Sequence, residues 1–308
     1  MFLLLFNQLT KMLIILIVAI ICYKIGLINQ EGNKNISNLL LMVVNPCLIV
    51  NVYQMEYDPV LVKGLLISFA FAILSHILCI LISSICIRKT DNPDFSIERF
   101  CSIYSNCGFM GIPLINSVLG AEGVFYLSAY MAVFNIFTWT HGLVLINGKF
   151  SSKKLYEGLR SPVMIGTIIG MILYFAKIAI PGTLLSPIQY ISDMNTPLAM
   201  MVAGFSVAQA DFKSVFANFK VYKIAVFKLL INPIAFLLLL WIAKVPATVA
   251  YTILIATACP TATNATLMAI RFGKNYKYAS QAFAFTTVVC ILTIPLIALI
   301  AGYLIPIA

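Results

Sequence analysis

The chain has 308 residues, of which 62% are hydrophobic and only 10% are charged, whereas about a quarter of the residues in an ordinary soluble domain are charged. A chain of this composition cannot cover its own surface with polar groups, which excludes a soluble globular protein. The formal charge of +10 comes from basic residues standing in small groups between apolar stretches, so it does not indicate a nucleic-acid partner. The eight cysteines form no CxxC pair and have no histidine at metal-ligand spacing, so we expect neither a metal site nor a cofactor.

Polar clusters divide the chain into ten apolar segments, each close to the roughly 20 residues that a transmembrane helix needs. We predict that each segment is one membrane-spanning helix. In chain order, segments 1 to 10 are residues 7–23, 36–53, 60–87, 97–119, 124–146, 162–180, 188–207, 219–243, 247–270 and 278–304.

Most of the 20 basic residues lie in the connections after segments 1, 3, 5, 7 and 9. Lys and Arg in short loops mark the cytoplasmic side of a membrane protein. The pattern therefore predicts a multi-pass protein of the cell membrane with both termini outside.

The basic stretch 149–160 follows segment 5 and divides the chain into residues 1–148 and 161–308, with five segments on each side. Because five is odd, the second half must start on the opposite side of the membrane from the first. This predicts an all-α polytopic membrane protein with ten transmembrane helices in a 5+5 inverted repeat, joined by a short cytoplasmic linker. Inverted repeats are common in secondary transporters.

Corresponding segments of the two halves are interrupted near their centres. Segment 4 contains SNCGFMGIP at residues 105–113, and segment 9 contains ACPTATN at residues 258–264. Proline removes a backbone donor and glycine weakens a helix, and in hydrocarbon each freed group needs a partner. Such breaks are typical of helices that line a substrate cavity, although simple proline kinks share the pattern. A weaker pair is Asn45-Pro46 in segment 2 and Thr196-Pro197 in segment 7.

If segments 4 and 9 cross at their breaks, two half-helix N-termini point towards the centre of the membrane. Their partial positive charge and free amides favour an anion, particularly a carboxylate. The side chains of Asn106, Thr261, Thr263 and Asn264 could complete the hydrogen bonding, and Asn45 is a further candidate.

Few charged or titratable residues lie inside the segments. Lys228 in segment 8 either acts as a counter-charge for the anion or extends to the membrane surface. Asp193, four residues before Pro197, could relay a proton or could simply be solvated at the outer end of segment 7. His76 could also titrate, or it could be a hydrogen-bonded core residue.

Several short strings match one family of transporters. They are GLI at residues 26–28, GFMGIPL at 108–114, KLL at 228–230 with Pro233, and the break at Pro260. Through them the chain resembles the auxin efflux carrier family along essentially its whole length. Bacterial members of that family are often described as malate or malonate permeases.

The resemblance implies a fold similar to the bile acid and sodium/proton antiporter group. In that fold segments 1, 2, 6 and 7 form a scaffold, whereas segments 3–5 and 8–10 form a transport domain in which segments 4 and 9 cross. The family pattern implies a site lined by Asn106, Gly108, Gly111, Pro113, Pro260, Thr261 and Asn264. Plant members carry a long loop where this chain has only residues 149–160, so a small carboxylate is a better expected substrate than auxin itself.

We therefore expect a secondary transporter that moves a small organic anion by an elevator-like alternating-access mechanism. Candidate substrates are malate, malonate or an auxin-like acid, and the coupling ion, proton or sodium, and a homodimeric state stay open. A channel would need a filter-like loop or a ring of charges, and an enzyme would need a motif such as HExxH or GxSxG; the sequence contains none of these. A transporter-like sensor would usually add a soluble signalling domain, whereas this chain ends at Ala308 after segment 10.

Overall fold

The computed structural model describes residues 2–88, 92–210 and 212–306, and these residues form helices and connecting turns. The helices are α1 (Phe2–Lys24), α2 (Gln30–Val52), α3 (Pro59–Cys86), α4 (Phe95–Ile103), α5 (Cys107–Asn147), α6 (Ser152–Leu159), α7 (Pro162–Phe175), α8 (Gly182–Asp193), α9 (Asn195–Ala208), α10 (Phe212–Ala217), α11 (Phe219–Ile242), α12 (Ala247–Ala258), α13 (Asn264–Arg271) and α14 (Tyr276–Leu304).

Within the described ranges, six helices are long and apolar enough to cross a membrane, namely α1, α2, α3, α5, α11 and α14. The helices α7 and α12 are apolar but shorter. The chain is therefore a polytopic, all-helical membrane protein, as its composition predicts.

Segments 4, 7 and 9 are each divided into two helices, at the glycine and proline interruptions seen in the sequence. Segment 4 is divided between Ile103 and Cys107, and segment 9 between Ala258 and Asn264. Segment 7 is divided at Met194, just before Pro197 in the first turn of α9. Proline cannot donate the backbone hydrogen bond that a continuous helix requires, which accounts for breaks beside Pro197 and Pro260.

The 41-residue helix α5 is divided at Gly120, which has φ 63° and ψ −157°. At 1.5 Å per residue, α5 would extend about 60 Å, roughly twice the hydrocarbon thickness of a bilayer. Glycine adopts this positive φ without the steric penalty of other residues. Gly120 therefore separates two legs, at the boundary that the sequence predicts between segments 4 and 5.

Close helix contacts organise much of the bundle into two groups, which meet where α1 packs against α14. The helix α9 runs along α1, because Gly204 allows its backbone to approach the carbonyl of Leu16. The helix α7 packs against the second half of α2, where Gly166 meets Pro46. In the other group, α5 packs against α3 and α12, while α14 packs against α11 and α13.

Candidate substrate site at the helix crossing

The two helix breaks lie side by side as short extended segments. Ser105 and Thr261 form an isolated antiparallel bridge. The amide of Asn106 donates to the carbonyl of Pro260 at 2.8 Å, and the amide of Ala262 donates to the carbonyl of Tyr104 at 2.9 Å. Backbone groups that the breaks free are therefore paired with each other, as a buried position requires. We call residues 104–106 and 259–263 the crossing.

Lys228 binds the helix ends on one side of the crossing. Its side chain is fully buried, and Nζ donates to the carbonyls of Thr257 at 3.0 Å and Ile103 at 3.4 Å and to the hydroxyl of Ser105. Three acceptors match the three donors of an ammonium group. The carbonyl ends of α4 and α12 carry partial negative charge, which the ammonium compensates. Lys228 therefore does not extend to the membrane surface.

The helices α5 and α13 begin on the other side of the crossing. The Asn106 side chain caps α5 by accepting a hydrogen bond from the amide of Phe109 at 3.4 Å. Thr263 occupies the corresponding capping position before α13. The unpaired amides and partial positive charge of helix N-termini make this side favourable for an anion.

A cavity of about 230 Å³ lies at the crossing, and we call it the crossing cavity. No acidic, basic or histidine side chain of the described ranges lines it. Its apolar wall includes Met131, Phe134 and Trp139. Its polar lining residues are Asn45, Ser105, Asn106, Asn135, Ser161, Thr263 and Asn264.

Two buried amide donors of the cavity wall lack a partner among the described residues, namely Nδ2 of Asn45 and Nδ2 of Asn106. The Oδ1 atom of Asn45 accepts a hydrogen bond from Nδ2 of Asn195 at 2.7 Å, and Oδ1 of Asn106 accepts from Phe109. Both amide groups therefore have their oxygens engaged and their N–H groups available. An unpaired buried donor costs about 1–3 kcal/mol, so a ligand that supplies acceptor oxygens would stabilise this arrangement.

Five of the sequence-predicted site residues line the crossing cavity, namely Asn45, Asn106, Gly108, Thr263 and Asn264. The other five do not line this cavity. Pro260 and Thr261 lie within the crossing, and Gly111, Pro113 and Lys228 lie beside it. Gly111 is buried beside the crossing, and a Cβ there would make an ordinary van der Waals contact of 3.5 Å with Sγ of Cys259. Pro113 is buried in the first turn after the π-helical turn of α5. Pro260 and Thr261 are paired within the crossing, and Lys228 lies behind Ser105.

Neither candidate coupling residue reaches the cavity. Asp193 is exposed at the C-terminal end of α8, in agreement with a solvated carboxylate. His76 is buried, and its Nδ1 lies 2.8 Å from the carbonyl of Ala72. Its ring packs against Tyr130 and Phe137 at centroid distances of 5.1 and 5.2 Å, as a core histidine does.

Sequence reasoning missed Ser105, Asn195 and Trp139. Ser105 bridges the cavity and the Lys228 ammonium. Asn195 precedes Thr196-Pro197 much as Asn45 precedes Pro46, and this repeated Asn/Pro pattern could have identified the pair. Trp139 is one of only two tryptophans in the chain, but composition alone does not place it at a cavity.

A second cavity of about 700 Å³ adjoins the first and shares Leu41, Phe109, Thr263 and Asn264 with it. Its remaining wall includes polar residues of the first turns of α2, together with Gln209 after α9. This polar vestibule connects the crossing cavity with one end of the helix bundle.

Comparison with protein families identifies the family of the chain. The family described as membrane transport protein matches residues 4–157 and 149–298, which together span nearly the whole chain. No curated protein matches the chain. The chain therefore belongs to the membrane transport protein family, the family of the auxin efflux carriers that its sequence strings resemble.

Proposed function

We propose that this membrane transporter is a secondary carrier of a small organic anion and binds the anion in the crossing cavity. The observation that carries the proposal is the pair of buried, unpartnered amide donors of Asn45 and Asn106 in the cavity wall. A carboxylate supplies acceptors for such donors, and the adjacent helix N-termini favour its negative charge.

The proposed architecture is ten transmembrane crossings in two inverted halves, residues 1–148 and 161–308, with 149–160 as the linker. Two contacts between matching segments support it: the bridge between segments 4 and 9, and the Asn45–Asn195 pair between segments 2 and 7. The crossings would be residues 2–24, 30–52, 59–86, 95–119, 121–147, 162–175, 182–208, 219–242, 247–271 and 276–304.

The proposed movement is elevator-like alternating access. The helices of segments 1, 2, 6 and 7 would form the scaffold, and those of segments 3–5 and 8–10 would form the moving transport domain. The packing of α1 with α9 and of α2 with α7, and that of α5 with α3 and α12, supports this division, and the contact of α1 with α14 would lie at the boundary between the two domains.

The lining of the crossing cavity favours a monocarboxylate with an apolar body. The amide donors can bind one carboxylate, whereas the rest of the described wall has no charged side chain and is apolar at Met131, Phe134 and Trp139. Malate and malonate carry a second carboxylate, which would lose its water on entering the cavity and would find no charged partner among the described residues there. The loss of solvation would weaken binding of these dicarboxylates. An auxin-like acid that fits within about 230 Å³ therefore suits the cavity better.

The polar vestibule would face the cytoplasm of the cell. It lies beside the first turns of α2 and the ends of α9 and α13, next to the basic connections after segments 1, 7 and 9. Basic connections mark the cytoplasmic side. Two exposed side chains of opposite charge, Glu31 and Lys34, lie at the vestibule wall, and Lys34 would give an entering anion a positively charged contact.

Export of the acid would need no coupled ion, because an anion leaving a negative cell interior gains about 2.3 kcal/mol per 100 mV. Proton or sodium coupling would be required only for uptake. The exposed position of Asp193 and the packed ring of His76 favour neither residue as the coupling group. A homodimer is compatible with this function, which each chain would perform alone.

The test is uptake and counterflow of labelled carboxylates in proteoliposomes, with benzoate, 3-phenylpropanoate, malate and malonate. We expect Asn106→Ala and Asn264→Ala to raise the KM for the monocarboxylates about tenfold or more, the effect of losing a hydrogen bond to a charged group. Asn147→Ala, an exposed position at the end of α5, is the matched control.

Saturable counterflow that both cavity variants weaken and the control preserves would support the carrier. Transport of none of these acids by folded protein would contradict the substrate class and favour a transporter-like sensor. Large unitary currents would instead indicate a channel.

A further inference from the structure

Trp139 forms part of the crossing-cavity wall beside the linker. It lies in a π-helical turn of α5, Thr138–Gly142, and its neighbours in the wall include Asn135, Ser161 and Pro162. The indole is partly buried and packs against the hydrophobic core. It is the largest side chain that lines the cavity.

The linker helix α6 packs directly against this indole through Gly158. A Cβ atom at Gly158 would lie 2.1 Å from Cδ1 and 2.4 Å from Cγ of Trp139. Contacts this short do not occur in folded proteins, so a side chain at position 158 would force either the indole or α6 to move. Gly158 is buried although the next residue, Leu159, is exposed. A glycine is thus the residue that allows α6 to lie against Trp139.

This contact joins the two packing groups of the bundle. The helix α6 leads directly into α7, which packs against α2 where Gly166 meets Pro46. Trp139 belongs to α5, which packs against α3 and α12. The position of α6 against the indole therefore depends on both groups, and so does the shape of the cavity.

We propose that Trp139 sets the size of the anion that the crossing cavity accepts, and that Gly158 fixes the indole in that position. The inference rests on the proposed function, since it requires the cavity to hold the transported anion. The carboxylate would lie at Asn106, and the apolar body of the ligand would contact the indole. Aromatic surfaces bind apolar groups strongly because they bury a large area at low entropic cost.

The inference predicts opposite effects at the two positions. A smaller residue at 139 enlarges the cavity, so Trp139→Ala should raise the affinity for diphenylacetate relative to benzoate by about tenfold, the discrimination typical of a small change in an apolar pocket. Gly158→Ala pushes the indole towards the cavity and should weaken diphenylacetate and 3-phenylpropanoate binding while sparing acetate. In the double variant Gly158→Ala/Trp139→Ala the added methyl group meets no ring, so the preference of Trp139→Ala should return.

The experiment measures binding of these four carboxylates to the full-length protein in detergent by calorimetry. Gly182→Ala is the matched control, because no described atom lies within 4 Å of a Cβ added there. A second readout uses Trp241→Phe, which leaves Trp139 as the only tryptophan of the chain. In that background Gly158→Ala should shift the emission of Trp139 without any ligand, and benzoate should change its intensity.

The outcomes separate the inference from the function on which it rests. Unchanged affinity ratios in Trp139→Ala and in the double variant, with carboxylates still bound, would overturn the size-setting role and leave the proposed function intact. If Gly158→Ala does not fold, Trp139→Ala and Trp139→Phe still decide the question. Absence of binding of every carboxylate to the unaltered protein would overturn the proposed function and the inference with it.

Discussion

The side chain of a single lysine joins the ends of two helices at the centre of the molecule. The Lys228 ammonium is shared between the carbonyl ends of α4 and α12 and the hydroxyl of Ser105. A charge at this depth is tolerated because every N–H bond has an acceptor and the helix ends supply partial negative charge. At the residue scale, Lys228 is therefore part of the structure of the crossing.

We expect Lys228→Met to destabilise the protein. The methionine fills the space but leaves the carbonyls of Ile103 and Thr257 without their donor, at about 1–3 kcal/mol for each unpaired group. Thermal unfolding in detergent measures the effect as a lower transition temperature. Lys63→Met is the control, since Lys63 is exposed on α3. Equal transition temperatures for both variants would contradict the structural role of the ammonium.

Glu98 is a second charged residue whose position the sequence alone did not reveal. Its carboxylate is buried, lies 3.3 Å from Nζ of Lys223, and accepts a hydrogen bond from the Tyr278 hydroxyl at 3.2 Å. Lys223 and Lys228 thus both bind α4 from the same helix, α11. Burial depends on neighbours that are far apart in sequence, so a single-residue pattern could not distinguish Glu98 from a solvated loop carboxylate.

Proline shapes three of the long helices in the same way. A π-helical turn ends two residues before each of three prolines, Pro46, Pro113 and Pro233. In each case the backbone amide of the residue before the proline donates a hydrogen bond to the carbonyl five residues earlier in the chain. The proline lacks the N–H that would bond four residues back, so the helix widens by one residue. At the scale of the element, proline therefore rotates functional side chains without breaking the helix.

We predict that Pro233→Ala impairs transport and, through the lost hydrogen bonds of Lys228, also lowers the stability of the folded protein. Alanine restores an N–H group, which allows α11 to replace the π-helical turn 227–231 with regular helix. That change rotates Lys228 away from its acceptors. Counterflow of benzoate should fall at least tenfold while the helix content in circular dichroism is retained. Pro187→Ala is the control, because Pro187 is exposed within α8, and equal counterflow in both variants would contradict the prediction.

The sequence predicted a polytopic, all-helical membrane protein because bilayer thickness dictates the length of apolar runs, and six helices of the described ranges are long and apolar enough to span a membrane. It also located the breaks at Pro260 and before Pro113, since glycine and proline act locally. It could not predict that Ser105 pairs with Thr261, because that pairing depends on residues more than 150 positions apart. For the same reason the sequence could not distinguish the five predicted site residues that line the cavity from the five that do not, because all ten lie in similar apolar stretches of the sequence.

At the scale of the molecule, the basic connections are the basis of the proposed orientation in the membrane. The proposed orientation places the first turns of α2 and the end of α13 in the cytoplasm, and the connection between α11 and α12 outside. In this orientation the polar vestibule would open to the cytoplasm, and the conformation would be inward-facing.

The orientation predicts which introduced cysteines react from each side. In a variant without the native cysteines, Lys34→Cys should react with a membrane-impermeant thiol reagent only in inside-out vesicles. Lys244→Cys, between α11 and α12, should react only from the outside of intact cells. A reversed pattern would contradict the orientation, and reaction of both positions from one side would contradict the parity of the crossings between them.

The buried ammonium of Lys228 has an electrical consequence. If the transport domain moves as proposed, Lys228 travels with the crossing. With a monocarboxylate bound, the ammonium and the carboxylate sum to zero charge, whereas the empty crossing carries one positive charge. At a membrane potential of 100 mV, negative inside, moving that charge across the membrane to the inside releases about 2.3 kcal/mol of free energy. The voltage would then drive the inward return of the empty carrier, and the loaded outward step would be electroneutral.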